Sequence, residues 1–119
     1  LYEQAQAEAV GVLDPRTAIE RASALRAEGR RVEALAFAER AIDMAPHNIY
    51  ARNALAGALR ALGRLSEAEL NARQSLKIDA SPRNTPARVV LASILADQGS
   101  PEALNEAYAL CAGALDHQP

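Results

Sequence analysis

The sequence predicts an all-α fold built as a stack of antiparallel helix pairs. Three observations carry that expectation. Segments of about 12 to 16 residues, rich in Ala, Leu, Glu and Arg, alternate with short clusters of Gly, Pro, Asp and Asn, which is helix length bounded by helix-stopping chemistry. Small residues recur in register: "EALAFAERAI" (33–42) is followed by "EAELNARQSL" (67–76), so that Ala34 returns as Ala68, Ala38 as Ala72, Ala41 as Ser75 and Ile42 as Leu76, 34 residues on. No segment shows the two-residue alternation or β-branched enrichment of a strand.

Taken in order, the expected helices run over 1–12, 15–28, 31–45, 48–62, 65–79, 85–97 and 101–116. The breaks between them fall at "LDP" (13–15), "AEGR" (27–30), "APHN" (45–48), "ALGR" (61–64), "DASPRN" (79–84) and "DQGSP" (97–101). Gly29 and Gly63 follow helical runs and suit left-handed caps, because glycine alone takes that conformation without a Cβ penalty. "SPE" at 100–102 puts a capping Ser before Pro at the first helical position, then a Glu that favours the positive end of the helix dipole. "APHN" and "SPRN" each stop one helix and start the next. The linkers are short, so successive helices should be antiparallel neighbours.

Composition sets bounds on core and partners. The chain has 119 residues, one domain's worth. Alanine contributes 28 of them, and the aromatics are only Tyr2, Phe37, Tyr50 and Tyr108, so the core should be thin and its helices close. Net charge is −2, which gives no global field for nucleic acid, and aromatic stacking platforms are missing. Cys111 is the single cysteine, so no internal disulfide can form. No apolar run approaches the roughly 18 residues of a membrane helix, so direct membrane insertion by this segment is not expected. The chain opens without methionine or a signal-like segment and reads as a piece of a longer protein.

The repeat extends to a third copy. "APHNIYARNALAGALRALGR" (45–64) matches "SPRNTPARVVLASILADQGS" (81–100) at a shift of 36, which carries Leu55 to Leu91, Ala56 to Ala92, Leu59 to Leu95 and Gly63 to Gly99. The two extra residues fall in the "DASPRN" linker, where an insertion costs little. The first copy supplies Ala22, Leu25 and Gly29. A period of 34 residues with two helices per unit is the mark of a helical-hairpin array, in which units too small to bury their own apolar faces stack to make a core. On these residues the chain resembles the tetratricopeptide repeat family over about 15–119. The shared marks are small residues in the first helix (Ala22, Ala56, Ala92), leucine three later (Leu25, Leu59, Leu95), the turn glycine, and a small residue early in the second helix (Ala34, Ala68, Ala107). A small-then-large pair follows at Ala41–Ile42, Ser75–Leu76 and Ala114–Leu115, and prolines close the units at Pro46, Pro119 and near Pro82. The resemblance implies a right-handed α-solenoid. It divides into 1–14, the second helix of a truncated preceding unit, then unit 1 (15–48), unit 2 with its linker insertion (49–84) and unit 3 (85–119). Two departures stand out. Ala18, Arg52 and Arg88 occupy a position where the family often has a large aromatic. Unit 3 has about three extra residues around "GSPEALNE", which leaves its register open between Ala103 and Ala107.

No residue grouping points to catalysis or a cofactor. His47 and His117 sit beside prolines in linkers, no histidine pair has helical spacing, and there is no CxxC, so neither a metal site nor a cofactor is expected. Cys111 stands where the pattern calls for a small core residue. What the resemblance implies instead is a concave groove formed by the first helices, which holds a protein or peptide partner. By register its residues are Arg16, Ile19, Glu20, Ser23 and Arg26 in unit 1; Tyr50, Asn53, Gly57 and Arg60 in unit 2; and Pro86, Val89, Ser93 and Asp97 in unit 3. Ser23, Gly57 and Ser93 would leave the groove floor open, Arg26 and Arg60 would form a basic ladder, and Asn53 would bond a partner's backbone. The clamp that chaperone-binding members use for a heat-shock-protein tail is absent: Arg16 is followed by Glu20, and the third helix offers Pro86 and Val90. The expected function is a non-enzymatic protein-interaction scaffold, bacterial in its Ala/Arg/Leu-rich style. Its expected setting is an envelope, leaning to periplasmic, system for exopolysaccharide export or secretion. A pilus-assembly or cytochrome-maturation adaptor, or a structural spacer or self-assembly repeat, is the alternative.

Overall fold

The computed structural model describes residues 14–116. It contains six helices: α1 (Pro15–Ala27), α2 (Arg31–Met44), α3 (Ile49–Ala61), α4 (Leu65–Ile78), α5 (Thr85–Gln98) and α6 (Pro101–Asp116). Each agrees with its expected segment to within one residue at either end, and the helix expected over 1–12 lies outside the described residues.

The helix starts follow from local chemistry. Asp14 accepts from the Thr17 N–H at 2.7 Å ahead of Pro15, and these bonds draw its carboxyl below the usual carboxylate range. Asn48 Oδ1 accepts from the N–H groups of Tyr50 (2.8 Å) and Ala51 (3.3 Å) at the head of α3. Ser100 Oγ accepts from the Ala103 N–H at 3.1 Å, as the "SPE" motif predicts. Helices α2 and α4 are preceded by Arg30 and Arg64, which do not cap them with a side-chain hydrogen bond. There the guanidinium of Arg30 reaches Glu33 and that of Arg64 reaches Glu67 (2.7 and 2.9 Å), with each glutamate in the first turn.

The turn inside each pair is a left-handed glycine. Gly63 has φ +78°, its N–H donates to Arg60 O at 3.0 Å, and the Arg64 N–H donates to Leu59 O at 2.9 Å. This is a Schellman closure, and Gly29 repeats it with Arg26 and Leu25. A β-branched residue is badly strained at positive φ, so Gly63→Val should cost at least about 1 kcal/mol in urea or thermal unfolding. An unchanged midpoint would contradict the turn geometry.

The helices pack as α1 with α2, α3 with α4 and α5 with α6. Each second helix also leans on the first helix of the next pair, and α1, α3 and α5 touch in sequence as an inner layer. The backbones of α2, α4 and α6 make no such contacts with one another, so the outer layer is the open side of the stack. This is the predicted solenoid of antiparallel pairs.

The core is thin, as its composition demands. Ala22, Ala34, Ala38, Ala56, Ala68 and Ala72 are buried in one cluster with Leu25, Leu59, Leu91 and Leu95. In α6 the buried small residues are Ala103 and Ala107, so Ala103 takes the place of Ala34 and Ala68. The open register is thereby closed. Ala56 lies 12 residues before Ala68, whereas Ala92 lies 11 before Ala103, so the turn of unit 3 is one residue shorter and holds no insertion. Cys111 then corresponds to Ile42 and Leu76, not to a small core position, and it is exposed. At that register the earlier residues are half-buried beneath the following hairpin, and among the described residues none follows α6.

The positions lacking the family's aromatic are filled by other means. Arg52 reaches back to Pro46 O (2.8 Å) and to Asn71 Oδ1 (3.0 Å), and Arg88 reaches Ala80 O (2.6 Å). Long arginines thus staple the first helices of units 2 and 3 to the linkers that precede them. On the outer layer Arg73 bridges α4 to α6: it meets Glu106 through two bonds (2.7 and 3.1 Å) and Glu69 at 3.0 Å, and those hydrogen bonds to Glu106, with the charge behind them, hold its carboxyl below the usual range.

Candidate partner-binding groove

One groove of about 480 Å³ runs across the inner layer and is lined from all three first helices. Helix α1 contributes Ile19, Ser23 and Arg26; α3 contributes Tyr50, Asn53, Ala54 and Arg60; α5 contributes Thr85, Pro86, Val89 and Val90. The repeat explains the convergence. Residues one period apart lie side by side when the pairs stack, so Ile19, Asn53 and Val89 form one row and Arg26 and Arg60 share another register.

Of the residues expected there from sequence, the structure brings together Ile19, Ser23, Arg26, Tyr50, Asn53, Arg60, Pro86 and Val89. It places the others elsewhere. Arg16 pairs with Glu20 at 3.0 Å on an exposed surface, and Glu20 lines a separate hollow with Arg21, Glu28 and Arg30. Asp97 lines a hollow beside Leu65 and Ser66. Ser93 Oγ bonds back to Val89 O at 2.8 Å. Gly57 is buried beneath Arg26: a Cβ at Gly57 would fall 2.1 Å from Arg26 Nη1. The floor expected to stay open is therefore occupied, and the missing side chain makes room for a guanidinium.

Asn53 has a different role from the one expected. Its Oδ1 accepts from Ser75 Oγ (2.6 Å) and its Nδ2 donates to Asn84 Oδ1 (2.9 Å); Asn84 Nδ2 in turn donates to Ser75 Oγ (3.0 Å) and Asp79 O (2.9 Å). All three side chains are buried. Asn53 forms part of the groove wall, but its polar atoms are engaged in a closed ring that ties α3 and α4 to Asn84 at the head of α5, the first helix of unit 3.

Ala54, Thr85 and Val90 were missed. Ala54 and Val90 occupy the same register as Glu20, so carrying that position into units 2 and 3 would have found them. Thr85 has no periodic counterpart in the groove and gave no signal.

Electrostatically the groove is one-sided. Arg26 and Arg60 line it, no carboxylate does, and neither arginine has an ion-pair partner among the described residues. Ile19, Pro86, Val89 and the exposed ring of Tyr50 supply apolar surface beside them. Among the described residues no group of three or more His, Cys, Asp and Glu side chains is placed to hold a metal ion, and no helix is long and apolar enough to cross a membrane.

No curated protein matches the chain. A family profile described as tetratricopeptide repeat matches residues 25–70, from the end of α1 into α4. The matched span holds the turn glycines, the paired alanines and the α2–α3 crossover that generate the stack. On the match and on this repeating geometry, residues 25–70 are similar to the tetratricopeptide repeat and the flanking helices continue the same stack, a kind of array that serves in general as a protein-interaction scaffold.

Proposed function

We propose that the chain is a non-enzymatic docking scaffold whose inner groove receives a segment of a protein partner. The observation that carries this reading is the groove itself: three helices from three successive units contribute to one channel with apolar walls and unpaired donors. A surface built this way presents its contacts along a line, which suits an extended or helical segment. The proposed setting is a bacterial envelope assembly for exopolysaccharide export or secretion, supported by the Ala/Arg/Leu-rich composition alone.

Photo-crosslinking tests the face. A photoreactive residue is placed at Ser23 or Val89 in the groove and, for comparison, at Leu70, which is exposed on α4 of the outer layer. Adducts to another protein from the groove positions and none from Leu70 are expected. Adducts from Leu70 alone would move the docking surface to the outer layer. Adducts containing only copies of this chain would favour the self-assembling spacer.

A further inference from the structure

We infer that the groove selects an acidic segment with aliphatic neighbours, whose carboxylates are taken by Arg26 and Arg60; this rests on the docking reading above.

The first ground is how the arginines are used. Arg16, Arg30, Arg64 and Arg73 each pair with a glutamate, and Arg52 and Arg88 bond linker carbonyls. Acidic residues outnumber basic ones, 15 to 13, so partners for arginine are not scarce in this chain. Among the described residues Arg21, Arg31 and Arg83 also lack an ion pair, but of the unpaired arginines only Arg26 and Arg60 share a register on the inner face and line the groove, where no carboxylate stands. Charge complementarity therefore has to come from outside.

The second ground is that the site is shaped around one of them. The guanidinium of Arg26 lies against the Cα of Gly57, in space that any other residue would fill. Glycine within a helix is less stable than alanine because it loses more backbone freedom on folding, so this position gives up helix stability for room. A planar fork lying over a helix backbone presents paired donors that match a carboxylate with two bonds. The aliphatic requirement comes from Ile19 and the exposed Val89 on the first and third helices of the channel, which a hydrated polyanion would leave uncovered. That favours a protein segment over a nucleic acid strand.

Fluorescence anisotropy on the full chain tests this, with a short labelled peptide of alternating glutamate and leucine and its counterpart with glutamine for glutamate. The glutamate peptide should bind about tenfold tighter or better, the equivalent of one charge-assisted hydrogen bond. Added salt should weaken only that peptide. Arg26→Ala with Arg60→Ala should abolish the difference. Gly57→Ala is the sharper variant. It keeps both charges and meets only the flexible end of Arg26, so the fold should be retained by circular dichroism, while the displaced guanidinium lowers affinity for the glutamate peptide several-fold. Val89→Asp should weaken both peptides. Equal binding of the two peptides, binding of neither, or a preference that survives in the double variant would overturn the inference. Equal binding that Val89→Asp removes would do so while leaving the docking groove standing. Tighter binding of a single-stranded oligonucleotide than of the glutamate peptide would also overturn it.

Discussion

Asn84→Ala is expected to destabilise the chain by at least about 2 kcal/mol. A buried donor or acceptor left without a partner costs about 1–3 kcal/mol, and this change strands more than one. Asn84 receives the Asn53 amide and donates to Ser75 Oγ and Asp79 O, from a site only 2% exposed. Asn84→Asp should fail to rescue it, because a carboxylate brings an acceptor against carbonyl oxygens that need a donor. Asn48→Ala offers a calibrated comparison. Asn48 holds the equivalent place one unit earlier but acts only as a helix cap, for which about 1 kcal/mol is usual. Urea denaturation of the three variants decides the matter: equal midpoints for Asn84→Ala and the parent would mean that the ring contributes nothing.

Ala68→Leu is expected to cost about 1–3 kcal/mol by overpacking. Ala68 has no exposed surface and lies in the cluster that joins α3 to α4, where the small side chain sets how closely the helices approach. A leucine there forces the pair apart or drives neighbours off their rotamers. Leu70→Ala on the same helix provides contrast: Leu70 is 57% exposed, so its truncation should stay within about 0.5 kcal/mol. Thermal melts that rank these two the other way would overturn the assigned register of α4.

The helix pairs were legible because their causes are local. Asn48, Gly29, Gly63 and the "SPE" motif each act within a few residues of themselves, and the recurrence of small residues imposes the pairing. The register of unit 3 was not fixed, since shortening a turn by one residue leaves two alanines four apart as equal candidates until burial chooses Ala103. The groove was legible where position alone decides: Ile19, Tyr50, Arg60 and Val89 follow from period and face. Asn53 and Gly57 were misjudged because their roles depend on residues far away in sequence and on other helices or linkers. An asparagine on an inner face looks like a free hydrogen-bonding group until Ser75 and Asn84, 22 and 31 residues away, are found to enclose it. A glycine looks like open floor until Arg26 is found lying on it.

The ring also has a mechanical meaning. At the joint between units 1 and 2 the places of Asn53 and Ser75 are held by Ile19 and Ala41, which pack in an apolar cluster with Ala18, Ala51 and Ile42. Apolar burial is non-directional and scales with area, so that contact tolerates small shifts, within the reach of the Arg52 bond to Pro46 O, and still keeps most of its attraction. Hydrogen bonds weaken steeply once distance and angle are lost, so the joint between units 2 and 3 holds at one setting and lets go abruptly. Under tension along the stack the first joint would behave as a compliant spring and the second as a latch.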